Sequence, residues 1–224
     1  MPAAISDEKK QFINRQVFAI YARYGFDKIS MDEVAAKAHI SKATLYKYFK
    51  SKEDIVSHMV HNVISNMDSM QFTADKDIDE ALESIQGCYC KAILVTAHSG
   101  SAFMNDLQNK FPVLHEEYLK AVGNVQERFQ NFYNHALKEG YCRNIYIHLI
   151  AIQMRTVLPE IVNSSYPTRH NISLETVIKE YYRLLLCQLL NEKYLYVLEQ
   201  ETTYAFSKEL AGNLENTLFI ADIK

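Results

Sequence analysis

Apolar side chains recur along most of this chain in steps of three and four, the spacing of one face of an α-helix. In residues 7–24 the set is Phe12, Ile13, Val17, Ile20, Tyr21 and Tyr24, and Gly25 follows where a left-handed C-terminal cap belongs. A short second helix is predicted from Ser30, because "SMDE" sets Glu33 three residues after the serine. That capping box satisfies two amide donors that a helix start leaves unpaired. Val34, Ala35 and Ala38 form its small inner face. His39 and Ile40 make a turn, Ser41 caps a third helix reaching about Phe49, and Ser51 caps a fourth in "SKED". Two very short capped helices between longer neighbours predict a braced helix-turn-helix rather than an ordinary bundle.

The fourth helix is expected from Lys52 to about Met70, with a polar loop over residues 73–79. A fifth helix is expected over roughly 77–98, followed by a short segment over 102–111. "FPVLHEEY" opens a long helix with Pro112 in its first turn, where a missing amide does no harm, and Gly140 ends it. Residues 144–162 and 174–190 are the last strong helices, the former with a kink expected at Pro159. A further helix is expected over residues 202–218, in a tail from Lys193 whose role the sequence leaves open. The reading is an all-α protein: a helix-turn-helix domain over residues 1–51 and a larger helical domain over residues 52–224.

Composition supports that fold and narrows the chemistry. Only 6 Gly and 4 Pro in 224 residues supply too few turns for a many-stranded sheet. No apolar run approaches the roughly 20 residues a membrane span needs, and the N-terminus lacks the order of a signal peptide, so a cytoplasmic location without a membrane partner is expected. Cys88, Cys90, Cys142 and Cys187 show no zinc-type pairing and read as buried thiols. Cys88 and Cys90 would point about 200° apart on a helix and so cannot readily bridge. His58 and His61 lie one turn apart, but no carboxylate or thiol obviously joins them, so a solvated face is favoured over a metal site. The sequence holds no nucleophile elbow, phosphate-binding glycine loop or metalloprotease motif. Neither an enzyme nor a cofactor is expected.

Charge changes the picture more. The net charge is −3, yet residues 1–60 hold ten Lys/Arg against seven Asp/Glu. Five lysines and two tyrosines fall within "SMDEVAAKAHISKATLYKYFKSKED". Phosphate contacts depend on positive charge, and the second helix of a helix-turn-helix enters the major groove with its N-terminal residues at base edges. On the helix opened by Ser41, Leu45 and Phe49 face inward, while Lys42, Ala43, Tyr46 and Lys47 fall mostly on the other side. Lys42 can donate to guanine, and Ala43 or Thr44 can meet a thymine methyl. Thr44, Tyr46, Lys47 and Tyr48 suit phosphate oxygens. Lys52 with the amides of the fourth helix makes a phosphate clamp, and the helix start at Ser30 and Met31 offers another.

The stretch "GFDKISMDEVAAKAHISKATLYKYFKSKEDIV" resembles the N-terminal domain of the tetracycline-repressor (TetR/AcrR) family of bacterial regulators, and "FINRQVFAIYARYGF" resembles that family's first helix. His39 stands where the family usually has glycine in the turn, and Ala43 where glycine is frequent. The resemblance implies an all-helical homodimer whose larger domain binds a small-molecule effector. It also implies that residues matching Lys42, Ala43, Thr44, Tyr46, Lys47, Tyr48 and Lys52 face double-stranded DNA. Two heads one helical turn apart, roughly 34–36 Å, would read a palindromic operator.

Candidate pocket residues on the later helices are Cys88, Tyr89, Ile93, Phe103, Met104, Phe111, Tyr118, Phe129, Phe132 and Tyr133, which fit a bulky hydrophobic or amphipathic effector. The helices over 144–162 and 174–190 are apolar all round, which calls for cover on every side. One face on the core and one on a partner would provide it, and the resemblance points to a four-helix dimer interface. The expected interface residues are Ile150, Met154, Val157, Ile161, Ile178, Tyr181, Leu185 and Leu189. The resulting reading is a ligand-responsive transcriptional regulator, taken as a repressor, with activation left open because the sign depends on where the operator lies relative to the promoter. The alternative is a DNA-binding protein whose larger domain docks a protein partner and senses no small molecule.

Overall fold

The computed structural model describes residues 7–74, 76–163 and 166–218. Helix α1 (Asp7–Tyr24) buries Ile13, Val17, Phe18, Ile20 and Tyr21 and stops where Gly25 turns left-handed at φ 75°. Helix α2 (Met31–Lys37) starts in the expected capping box: the Ser30 hydroxyl accepts from the Glu33 amide, and the Glu33 carboxylate accepts from the Ser30 amide. Helix α3 (Lys42–Tyr48) is capped by Ser41, and α4 (Lys52–Asp68) by Ser51.

Between α2 and α3 the chain reverses at His39, φ 53°. The His39 amide donates to the Ala36 carbonyl at 3.1 Å and the Ile40 amide to Ala35 at 3.0 Å. This crossed pair of bonds is the Schellman arrangement that a left-handed residue permits.

The four helices close around Val17, Phe26, Val34, Leu45, Phe49 and Ile55. Ile55, Val56, Met59 and Val60 of α4 belong to that core, as do Phe103 and Leu107 of α6 (Ser101–Lys110), although the division expected at residue 51 assigned them to the larger domain. Helix α6 is fastened to the end of α1. Asp106 Oδ2 accepts from the amides of Phe26 (2.6 Å) and Asp27 (3.1 Å), Lys110 pairs with Asp27, and the Phe26 and Phe103 rings lie 4.9 Å apart.

The larger core gathers α5 (Ile78–Ala97), α7 (Pro112–Lys138), α8 (Ile147–Asn163) and α10 (Leu174–Leu189). A four-residue helix, α9 (Tyr166–Arg169), precedes α10. α8 begins at Ile147 rather than 144, because the backbone at residues 143–145 is engaged elsewhere. The Arg143 amide donates to Leu189, and the carbonyls of Arg143 and Ile145 accept from the buried Tyr133 hydroxyl. α8 then runs through Pro159 to Asn163.

The tail is structural. Two 3₁₀ turns (Glu192–Glu199 and Glu201–Tyr204) lead into α11 (Phe206–Leu218), so only the second part of the helix expected over 202–218 is α-helical. Tyr204 and Phe206 set their rings edge-on against Tyr182, and Leu210, Ala211 and Leu214 join the core beside α10 and α5. Among the described residues the only β-type pairing is an isolated bridge, Cys142 to Leu190.

Candidate nucleic-acid interface and internal cavity

The third helix is a rigid presenter. Leu45 and Phe49 are sealed in the core, whereas Lys42, Ala43, Tyr46 and Lys47 are exposed, Tyr46 at 44%. Lys42 Nζ pairs with Asp32 at 2.8 Å in the open, and the nearby carboxylate holds the lysine above its ordinary pKa. An exposed ion pair is worth little, so Lys42 can leave Asp32 for a base edge or phosphate. Thr44 is half-buried; its amide donates to the Ser41 hydroxyl, and the two hydroxyls lie 2.8 Å apart.

At the start of α4, Ser51 caps the Asp54 amide and Asp54 accepts from the Lys50 amide, fixing the turn that carries half-buried Lys52. Ser30 is exposed and committed to its capping box, while half-buried Met31 accepts the Tyr21 hydroxyl through Sδ at 3.8 Å. Tyr48 departs from the expectation of a presented hydroxyl: its Oη is buried and unpartnered. A seven-residue helix has room for one outward face, and Tyr48 stands beside Phe49 at the edge of the inward one.

Behind this head lies a cavity of about 400 Å³ between α4, α5, α6, α7, α8 and α10. Cys88, Tyr89, Met104, Tyr118 and Phe129 line it, joined by residues the sequence did not mark, among them Phe72, Ala92, Val122, Arg155 and Leu158. Ile93, Phe103, Phe111, Phe132 and Tyr133 do not line it and are corrected accordingly. Phe103 and Phe111 pack on Phe26 in the N-terminal core, Ile93 is sealed in the larger core, Phe132 packs against Phe72, and Tyr133 ties down residues 143–145. The Cys88 thiol donates to the Gln71 carbonyl, and burial pushes it up to about 12, so it stays protonated at neutral pH. Burial also raises the Tyr118 phenol, with the charge of Arg155 opposing.

His58 and His61 face separate carboxylates, Asp54 at 3.2 Å and Glu117 at 3.4 Å. No group of three metal-ligating side chains occurs among the described residues. No helix there is long and apolar enough to cross a membrane.

The expected pairing face turns inward. Ile178 is 0% exposed and Leu189 1%, while Ile150, Ile161, Tyr181 and Leu185 are also buried; Met154 and Val157 are half-buried. Side chains already removed from water inside their own chain have no surface left to give a partner, so these six are corrected to core positions. The apolar side chains that α8 and α10 do expose are Leu149 (60%), Ile152 (47%) and Leu184 (55%).

Residues 18–59 match the model of bacterial regulatory proteins, tetR family. Over those residues the chain is similar to that family. An uncharacterized HTH-type transcriptional regulator of Haemophilus influenzae is 31% identical to this chain over 77 residues, 33% of this chain and 40% of that protein. The chain therefore matches well under two thirds of that relative's length.

The fold is shared with the ketosteroid transcriptional regulator KstR2 of Mycobacterium tuberculosis, at TM-score 0.59 and 16% identity over 86% of this chain and 100% of that one. It is shared too with PfmR of Thermus thermophilus, a TetR-family regulator, at TM-score 0.53 and 16% identity over 84% and 100%. The family and the Haemophilus protein are both described as regulators.

Proposed function

We propose that the chain is a DNA-binding transcriptional repressor that reads a palindromic operator as a homodimer and is released by a small hydrophobic or amphipathic effector. The observation that carries the reading is α3: Lys42, Ala43, Tyr46 and Lys47 stand exposed on one side, and Leu45 and Phe49 anchor the other. In the groove, Lys42 and Ala43 at the N-terminal end of α3 meet base edges, while Tyr46, Lys47 and Lys52 meet phosphates. The amide end of α4 adds its dipole to the Lys52 contact.

Leu149, Ile152 and Leu184 supply an apolar face through which a second copy can pair. The effector is taken into the cavity, whose wall includes Met67 in the last turn of α4, Met70 just beyond it and Met104 on α6. Met104 adjoins Phe103, which packs on Phe26 beneath the reading head. An effector that favours one setting of α4 and α6 shifts the separation of the two heads. A coupling of about 1–3 kcal/mol is enough for a useful response. The cavity also favours this reading over one in which the larger domain only docks a protein.

The test is a duplex selected from a random pool by the full chain, followed by affinity measurements on substituted chains. Lys47→Ala and Tyr46→Ala are each expected to weaken binding by about 1–3 kcal/mol without altering the oligomer. Unchanged affinity in both would remove α3 as the reader.

A further inference from the structure

The cavity is not uniform along its length. Its lining is apolar except for a few groups. Tyr118, early in α7, forms no hydrogen bond through its hydroxyl among the described residues, whereas the other tyrosine in the lining, Tyr89, donates to the Ile178 carbonyl at 2.8 Å.

Arg155 is the one charged side chain in the lining among the described residues. It has no carboxylate partner there, yet its charge reaches the Tyr118 phenol. On a 3.6-residue helix it lies between Met154 and Leu158, which face the cavity, and Ile152, which faces outward. The guanidinium therefore stands at the rim. Phe129, eleven residues beyond Tyr118 on the same helix, stands about 16 Å away along the axis, beside the Phe72 ring.

We propose that the effector is an elongated apolar molecule ending in a carboxylate. Its anionic head is held at the rim by Arg155, with the hydroxyl of Tyr118 as a further donor, and its tail runs toward Phe72 and Phe129. The inference rests on the cavity being the effector site. A guanidinium pairs with a carboxylate through two parallel hydrogen bonds, a match that an uncharged alcohol cannot make. The apolar walls hold either tail equally. An alkylammonium of the same length would place like charge beside Arg155. Head-group selectivity thus resides in Arg155, and length selectivity in the far wall.

Decanoate, decanol and decylammonium, titrated calorimetrically into the full chain, test this. Decanoate is expected to bind about tenfold tighter than decanol, and decylammonium most weakly. Arg155→Gln should remove the advantage of decanoate and leave decanol unchanged; Arg155→Lys should restore part of it. Because Arg155 is exposed, these variants retain the fold, checked by thermal melting. Equal affinity for decanoate and decanol, or an undiminished decanoate advantage in Arg155→Gln, would overturn the head-group assignment while leaving the cavity as the site. If none of the three binds, or if filling the cavity with Ala92→Trp leaves decanol binding intact, the cavity reading fails and this inference with it.

Discussion

His39 holds the angle between α2 and α3 with a backbone conformation, φ 53°, that brings a side-chain Cβ against its own carbonyl. Its crossed amide bonds to Ala35 and Ala36 require that conformation, so the strain stays in the folded state. His39→Gly is therefore predicted to raise stability by up to about 1 kcal/mol, read as a higher urea midpoint with an unchanged slope. A lower midpoint would mean that the histidine side chain contributes something the turn geometry does not reveal. The turn itself was legible in the sequence, because Ser30, Glu33 and Ser41 delimit two helices too short for any other arrangement. The Tyr48 hydroxyl was not. A tyrosine at the edge of a short helix faces either way, and only the packing of Phe18 and His58 around neighbouring Phe49 settles how much room the inward face has.

Among the elements, α6 joins the reading head to the cavity, and one glycine sets how closely it approaches α1. A methyl added at Gly100 would run into the Ala22 carbonyl oxygen, a backbone atom that cannot swing aside. Gly87, within α5, has nothing within 4 Å of such a methyl. Gly100→Ala is expected to destabilise by about 1–3 kcal/mol, and Gly87→Ala to stabilise by roughly 0.5–1 kcal/mol, both read by urea denaturation. Equal effects from the two would show that α6 does not press on α1 as described. Helix starts were readable wherever a serine or aspartate caps them, as at Ser30, Ser41, Ser51 and Ser173. The start of α8 has no such signal, since Tyr133, on the preceding helix, decides it.

For the whole molecule, the all-helical division into a small head and a larger body follows from periodicity, but the expectation for α10 does not hold. α10 proves two-sided rather than apolar all round: Glu175, Lys179, Glu180 and Arg183 share the side on which Leu184 is exposed, opposite the buried Ile178 and Leu189. The cavity was half legible, because aromatics at helical spacing serve core and cavity alike. Leu184 is 55% exposed, so Leu184→Arg should leave the fold intact and yield monomers by sedimentation. The central claim is that two basic heads of an acidic chain grip one duplex. It is tested most directly by titrating the full chain against its selected duplex over a range of salt, with the mass of the complex measured alongside. Two chains per duplex are predicted, with log affinity falling linearly as log salt rises and the slope reduced by about 2 in Lys47→Ala, one for each chain. A single chain per duplex, or no binding to any duplex at low salt, would contradict it.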